Sequence, residues 1–196
     1  MTLLQAIDAA AARPQAARVA FGHGTTNAFG EAAWLVLWRV GLPLDALDEH
    51  ADRALTADEQ AAVDTLVAER IATRKPAAYL TQEAWLQGVP FYVDERAIVP
   101  RSFIAELLAG GGIDDWLSDQ TRNVLDLCTG NGSLACLAAM AWPEVAVTGA
   151  DISPDALAVA RINVDKHGLQ QRVRLLQSDG LAALPGPWDL ILCNPP

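Results

Sequence analysis

Val124-Leu-Asp-Leu-Cys-Thr-Gly-Asn-Gly-Ser133 passes from an apolar strand through a turn with two glycines into a helix, and that order of parts decides the fold. Residues 124–128 are apolar apart from Asp126, as expected of a strand covered on both faces. Gly130 and Gly132 let the backbone come close to a ligand, and the helix opening at Ser133 offers N–H groups at its start. Downstream the pattern repeats. Further strands are predicted over residues 145–150, 173–176 and 189–193, with a second helix from Pro154. Strands alternating with helices imply a mostly parallel sheet with helices on its faces, an α/β fold.

Upstream the period is helical. Leu3, Leu4 and Ile7 share one face of a helix that Pro14 interrupts or restarts; residues 31–40 carry Trp34, Leu35, Leu37 and Trp38 toward a stop at Gly41. Thr56-Ala-Asp-Glu59 is a capping box ahead of Val63, Leu66, Val67 and Ile71, and Pro76 closes the segment. Apolar stripes at this spacing are core packing. Between residues 80 and 100 the period shortens: residues 84–86 and 89–93 read as two strands around Gln87-Gly88, with Pro90 suited to an edge. The organisation predicted is a helical domain over residues 1–80, a β-hairpin linker over 81–100 and an α/β domain over 101–196.

Composition narrows the function classes. A formal charge of −10 gives no general attraction for phosphate backbones, so nucleic acid is a disfavoured partner. The 3 cysteines, Cys128, Cys136 and Cys193, form no C-x-x-C pair and no even framework, which suits a reducing, cytoplasmic setting. Asp8 breaks the first apolar stretch and no basic residue precedes it, so no signal peptide is expected. No apolar run approaches the ~20 residues of a membrane span.

In open α/β sheets ligands bind at the carboxyl ends of the strands. Gly130-x-Gly132-x-x-Ala135 fits a dinucleotide loop, although a plain strand-to-helix turn explains it equally. Asp151 lies about 20 residues further on, where a carboxylate can hold ribose hydroxyls, or can simply be solvated. Ser178-Asp179-Gly180 can read an adenine edge or form a turn. Asp126 discriminates, because a carboxylate so close to the glycines would repel a pyrophosphate and attract a cationic or amino-bearing ligand. At the fourth loop, the Asn194 side-chain carbonyl and the Pro195 backbone carbonyl are two acceptors suited to one –NH₂ group, held in extended geometry by Pro195-Pro196; a mere strand end is the rival reading.

Taken with Tyr79-Leu-Thr-Gln-Glu-Ala-Trp85, Phe91-Tyr-Val-Asp-Glu-Arg-Ala-Ile-Val-Pro-Arg-Ser102, Asp151-Ile-Ser-Pro-Asp-Ala-Leu157 and Asp189-Leu-Ile-Leu-Cys-Asn-Pro-Pro196, the opening stretch resembles the class I S-adenosylmethionine-dependent methyltransferases. Within them it is similar to the HemK/PrmB/PrmC family of protein-(glutamine) methyltransferases. Ser102-Phe-Ile after Arg101 favours the PrmB branch, whose substrate is large-subunit ribosomal protein three, over the release-factor branch with its Pro-Glu-Thr. The resemblance covers roughly residues 20–196; Phe103, Asn131 and Gly180 depart from the commonest family residues.

The resemblance implies a Rossmann-like sheet, a substrate-recognising helical domain, and S-adenosylmethionine as cofactor with S-adenosylhomocysteine as product. It implies cofactor contacts from Asp126, Cys128, Thr129, Gly130, Asn131, Gly132, Asp151, Ile152, Asp179, Gly180 and Asn194, catalysis by Asn194, Pro195 and Pro196, and no metal. It also implies an aromatic residue and further strands beyond Pro196, so the chain reads as part of a longer protein that need not turn over alone. Release factors, adenine amino groups in nucleic acid, an NAD-dependent oxidation and a plain binding module are the alternative readings.

Overall fold

The computed structural model describes residues 1–22 and 24–195, and the chain divides into two compact units, residues 1–82 and 83–196.

The first unit is helical: α1 Leu3–Ala16, α2 Ala28–Arg39, α3 Leu47–His50, α4 Ala57–Thr73 and α5 Ala77–Thr81. Its core holds Leu3, Ile7, Leu37, Val63 and Val67 of the predicted stripes, joined by Val36, which they did not include, whereas Leu4, predicted on the same face as Leu3 and Ile7, is exposed. Pro14 neither interrupts nor restarts α1. It lies buried near the end of the helix, where its missing N–H costs a single hydrogen bond, and the helix continues to Ala16. Glu31 of α2 and Arg70 of α4 form a buried ion pair with Nε to Oε1 at 2.8 Å, while the Arg70 guanidinium also donates to the Ala20 carbonyl at 2.9 Å.

The capping box forms as read. Thr56 Oγ1 accepts from the Glu59 N–H at 3.2 Å, and the Glu59 carboxylate accepts from the Thr56 N–H at 2.9 Å. Thr56→Ala removes one half of this pair, and urea unfolding is expected to show a loss of about 1 kcal/mol.

The second unit opens with the hairpin β1 Glu83–Leu86 and β2 Val89–Tyr92. Gln87 and Gly88 both take positive φ, +51° and +75°, the backbone of a tight hairpin turn whose twist matches its strands. The sequence sets residues 81–100 apart as a linker; in the structure Leu86 and the wholly buried Phe91 belong to the core of the second unit, with Val124, Leu134, Val147 and Val164.

There follow α6 Phe103–Ala109, a 3-10 turn Asp114–Trp116, β3 Asn123–Leu127, α7 Ser133–Ala141, β4 Ala146–Asp151, α8 Pro154–Lys166, β5 Val173–Gln177 and β6 Leu190–Cys193. The last four strands form one parallel sheet in the order β5-β4-β3-β6. The chain winds outward from β3 to β5 and then returns to the other side of β3. That reversal makes the β3/β6 boundary the topological switch point, where such sheets open a crevice. Among the described residues no helix is long and apolar enough to cross a membrane.

Candidate functional site

Register brings the four loops together. Leu127 pairs with both Ala150 and Cys193, and Ala150 pairs with Leu176, so all four strands end level. Cys128, Asp151, Ser178 and Asn194 therefore stand along one edge of one sheet, as the sequence predicts for their loops. Pro196, named with Asn194 and Pro195 for catalysis, lies outside the described residues.

The glycine loop is held from inside. The Gly130 N–H donates to Asp151 Oδ2 at 2.9 Å, and the other Asp151 oxygen accepts from the Ser153 N–H at 3.0 Å. The Thr129 N–H donates to the Ala150 carbonyl, and the Gly132 N–H to the Thr129 carbonyl. The Ser133 N–H goes to Asn131 Oδ1 at 3.2 Å, and the Ala135 N–H to Asp126 Oδ2 at 3.0 Å. These donors, which the sequence reading leaves open to a ligand, already have protein acceptors. Two of the acceptors are carboxylates, an arrangement hostile to a phosphate.

The two glycines have different tasks. Gly132, at φ +79°, packs so closely that an added Cβ would meet the Ala160 Cβ at 2.9 Å, so it sets how α7 lies on α8. A Cβ on Gly130, at φ +56°, would meet nothing within 4 Å, so the loop offers bare backbone to its open side.

Asp126 is 1% exposed, and Thr129 Oγ1 donates to its Oδ2 at 2.5 Å. Its Oδ1 is buried with no hydrogen-bond partner among the described residues. Burial pushes its carboxyl up to about 7, partly offset by the bonds from Thr129 and Ala135. In the unfolded chain the group ionises near 3.9, so between there and about 7 the folded state holds a proton that the unfolded state has lost. This stabilisation is present at low pH and is lost as pH rises through about 7. Asp126→Asn keeps the Oδ2 bonds and cannot ionise; unfolding in urea at pH 5 and pH 8 should show a smaller decline for the variant than for the wild type.

On either side stand the other predicted residues. Ile152 is 62% exposed, and Asp179 and Gly180 are exposed on the loop after β5. That loop is tied back to β4 by the Ser178 N–H, which donates to the Asp151 carbonyl at 3.0 Å. Cys128 is exposed at φ +61°, and desolvation, with neighbouring Cys193 next, raises its thiol.

At the fourth loop the structure adds a decisive bond. Asn194 Nδ2 donates to the Arg101 backbone carbonyl at 3.2 Å. A carbonyl can only accept, so the amide orientation is settled and Oδ1 is the end turned away from Arg101. Asn194 and Pro195 are both exposed.

Sequence reasoning misses Asn163. Buried in α8, it accepts from the Tyr92 N–H at 2.7 Å and donates to the carbonyls of Tyr92 at 2.9 Å and Asn131 at 2.8 Å. His167 reinforces the hairpin's seat, with Nε2 at 3.1 Å from the Pro90 carbonyl. An asparagine on the buried face of a predicted helix is the one trace that the sequence carries.

The family description "Methyltransferase small domain" matches residues 113–196. Curated relatives match nearly the whole chain. The ribosomal protein uL3 glutamine methyltransferase of Burkholderia pseudomallei is 49% identical over 95% of this chain and 64% of its own length. Those of Bordetella pertussis and Neisseria meningitidis serogroup A are 50% and 45% identical over all of this chain, and over 66% and 65% of their own lengths. The chain thus spans somewhat under two thirds of the relatives it matches.

A parallel sheet in this order, a glycine loop tied to a strand-end aspartate, and the matched domain define a chain of the class I methyltransferase fold. Within that class it is similar to the ribosomal protein uL3 glutamine methyltransferases, at 45–50% identity over 95% or more of this chain.

Proposed function

We propose that the protein of which this chain is part transfers a methyl group from S-adenosylmethionine to the side-chain amide nitrogen of a glutamine in ribosomal protein uL3. The observation that carries the reading is the common edge shared by Gly130, Asp151 and Asn194, with the amide of Asn194 oriented by Arg101. The relatives' names supply the substrate.

The residues present suit this cofactor. Asp151, Ile152, Asp179 and the open side of Gly130 would take the nucleoside. The orphaned Oδ1 of Asp126 would, in the ionised form, be an acceptor for its amino group. The occupied N–H groups of the loop disfavour NAD, whose pyrophosphate would need them.

When bound, the cofactor supplies an electrophilic methyl group; every other demand falls on the chain. An amide nitrogen is a poor nucleophile because its lone pair is delocalised into the carbonyl, so position and electrostatics must supply the rate. Asn194 Oδ1 and the Pro195 carbonyl would accept the two N–H bonds, align the nitrogen and favour the positive charge that grows on it. Both protons stay hydrogen-bonded until one leaves to water.

Residues 1–80 would recognise the protein substrate. They carry 7 basic and 10 acidic residues, a charge of −3 that suits a basic ribosomal protein. The test uses the full-length protein, methyl-labelled cofactor and three substrates: unmodified uL3, peptide-chain release factors and RNA. Label on one glutamine peptide of uL3 is the expected result. Label on release factors or RNA alone would overturn the substrate, and no transfer to any would overturn the activity.

A further inference from the structure

Asn163 joins three elements that sequence keeps apart. Its amide lies on α8 and is wholly buried. Its oxygen faces the Tyr92 N–H of β2, while its two amide protons go one to the Tyr92 carbonyl and one to the Asn131 carbonyl of the glycine loop. Asn131 completes the link from its own side, with Nδ2 3.4 Å from the same Tyr92 carbonyl and Oδ1 accepting from Ser133. The orientation of the Asn163 amide is unambiguous, because a nitrogen end would clash with the Tyr92 N–H and an oxygen end with two carbonyls.

We propose that Asn163 is a positioning residue that makes the β1-β2 hairpin and the Gly130–Gly132 loop one mechanical unit, so that cofactor affinity depends on the hairpin being seated. The inference rests on the cofactor reading above and extends it to a residue that touches no ligand. A buried carbonyl without a donor is unfavourable, so the Asn131 carbonyl cannot leave Asn163 without breaking the loop geometry that holds Gly130 against Asp151. The same amide holds β2 by both of Tyr92's backbone groups. Displacing the hairpin therefore strips the loop of its support, and ordering the loop secures the hairpin. This arrangement transmits through direct bonds between residues 32 to 71 positions apart in sequence.

Asn163→Asp and Asn163→Ala in the full-length protein, titrated calorimetrically with S-adenosylhomocysteine, provide the first test. The aspartate has the same shape and still accepts from Tyr92 but cannot donate to two carbonyls; the alanine loses all three bonds. Both are expected to bind about tenfold or more weakly at an unchanged stoichiometry. A merely structural role would lower the stoichiometry as molecules unfold and leave the dissociation constant of the remainder alone, which would overturn the proposal.

Should both variants fail to fold, hydrogen exchange on the wild type decides. Adding S-adenosylhomocysteine is expected to slow exchange of the Tyr92 amide together with that of the glycine loop. Protection confined to the loop would overturn the coupling. A wild type that binds no S-adenosylhomocysteine would instead remove the cofactor reading on which the inference stands.

Discussion

Asn194→Ala in the full-length protein is expected to lower methyl transfer about 10²–10³-fold while leaving S-adenosylhomocysteine affinity nearly unchanged. In the proposed mechanism, truncation removes one of the two acceptors that would face the reacting –NH₂. Because those contacts strengthen as positive charge grows on nitrogen, their loss falls on kcat more than on substrate binding. The bond from Nδ2 to the Arg101 carbonyl sharpens the prediction. Asn194→Asp keeps the acceptor oxygen but places a carboxylate oxygen against that carbonyl, so it should also be impaired, through orientation. Asn194→Ser, too short to span both contacts, should resemble alanine. Single-turnover rates at saturating cofactor make the comparison. A wild-type rate in Asn194→Ala with intact cofactor binding would end the proposed role.

The legible parts of this chain are those governed by local rules. The strands flanking the glycine loop, the Thr56 capping box and the Gln87-Gly88 turn follow from apolar runs, cap chemistry and positive-φ preference, each settled within a few residues. The convergence of Gly130, Asp151 and Asn194 also follows, since parallel crossovers place every strand's carboxyl end on one edge.

What stays hidden is polar pairing over distance. The Glu31–Arg70 pair and the Asn163 amide use ordinary helix residues whose partners lie 39 and 71 positions away, so no period marks them. The hairpin's packing into the second unit stays hidden for the same reason. Phe91 and the bonds to Asn163 and His167 anchor it in the second unit, whereas the strand pattern reports only that a hairpin exists. Even the glycine loop is only half legible. The motif shows that N–H groups are present, and only the structure shows that Asp126, Asp151 and Asn131 have already taken them.

On the proposed cofactor reading Asp151 has two duties, bracing the glycine loop and holding the ribose, and its replacement carries the largest expected effect on cofactor binding. Each carboxylate oxygen accepts one backbone N–H, from Gly130 at 2.9 Å and from Ser153 at 3.0 Å. Each oxygen keeps a second lone pair, enough to receive the two hydroxyls of a ribose. Asp151→Ala would remove both ligand contacts and free the Gly130 N–H, and hydrogen bonds to a charged group contribute about 1.5–3 kcal/mol each. Affinity for S-adenosylhomocysteine should therefore fall about 100-fold or more. Asp151→Asn retains one oxygen and should fall between alanine and the wild type. Its amide nitrogen must face either Gly130 or Ser153, donor against donor, so the loop should also lose stability. The order wild type, asparagine, alanine in measured affinity is the discriminating result. If alanine binds as tightly as the wild type, Asp151 serves only to brace the glycine loop, and the nucleoside must be held elsewhere along the strand ends.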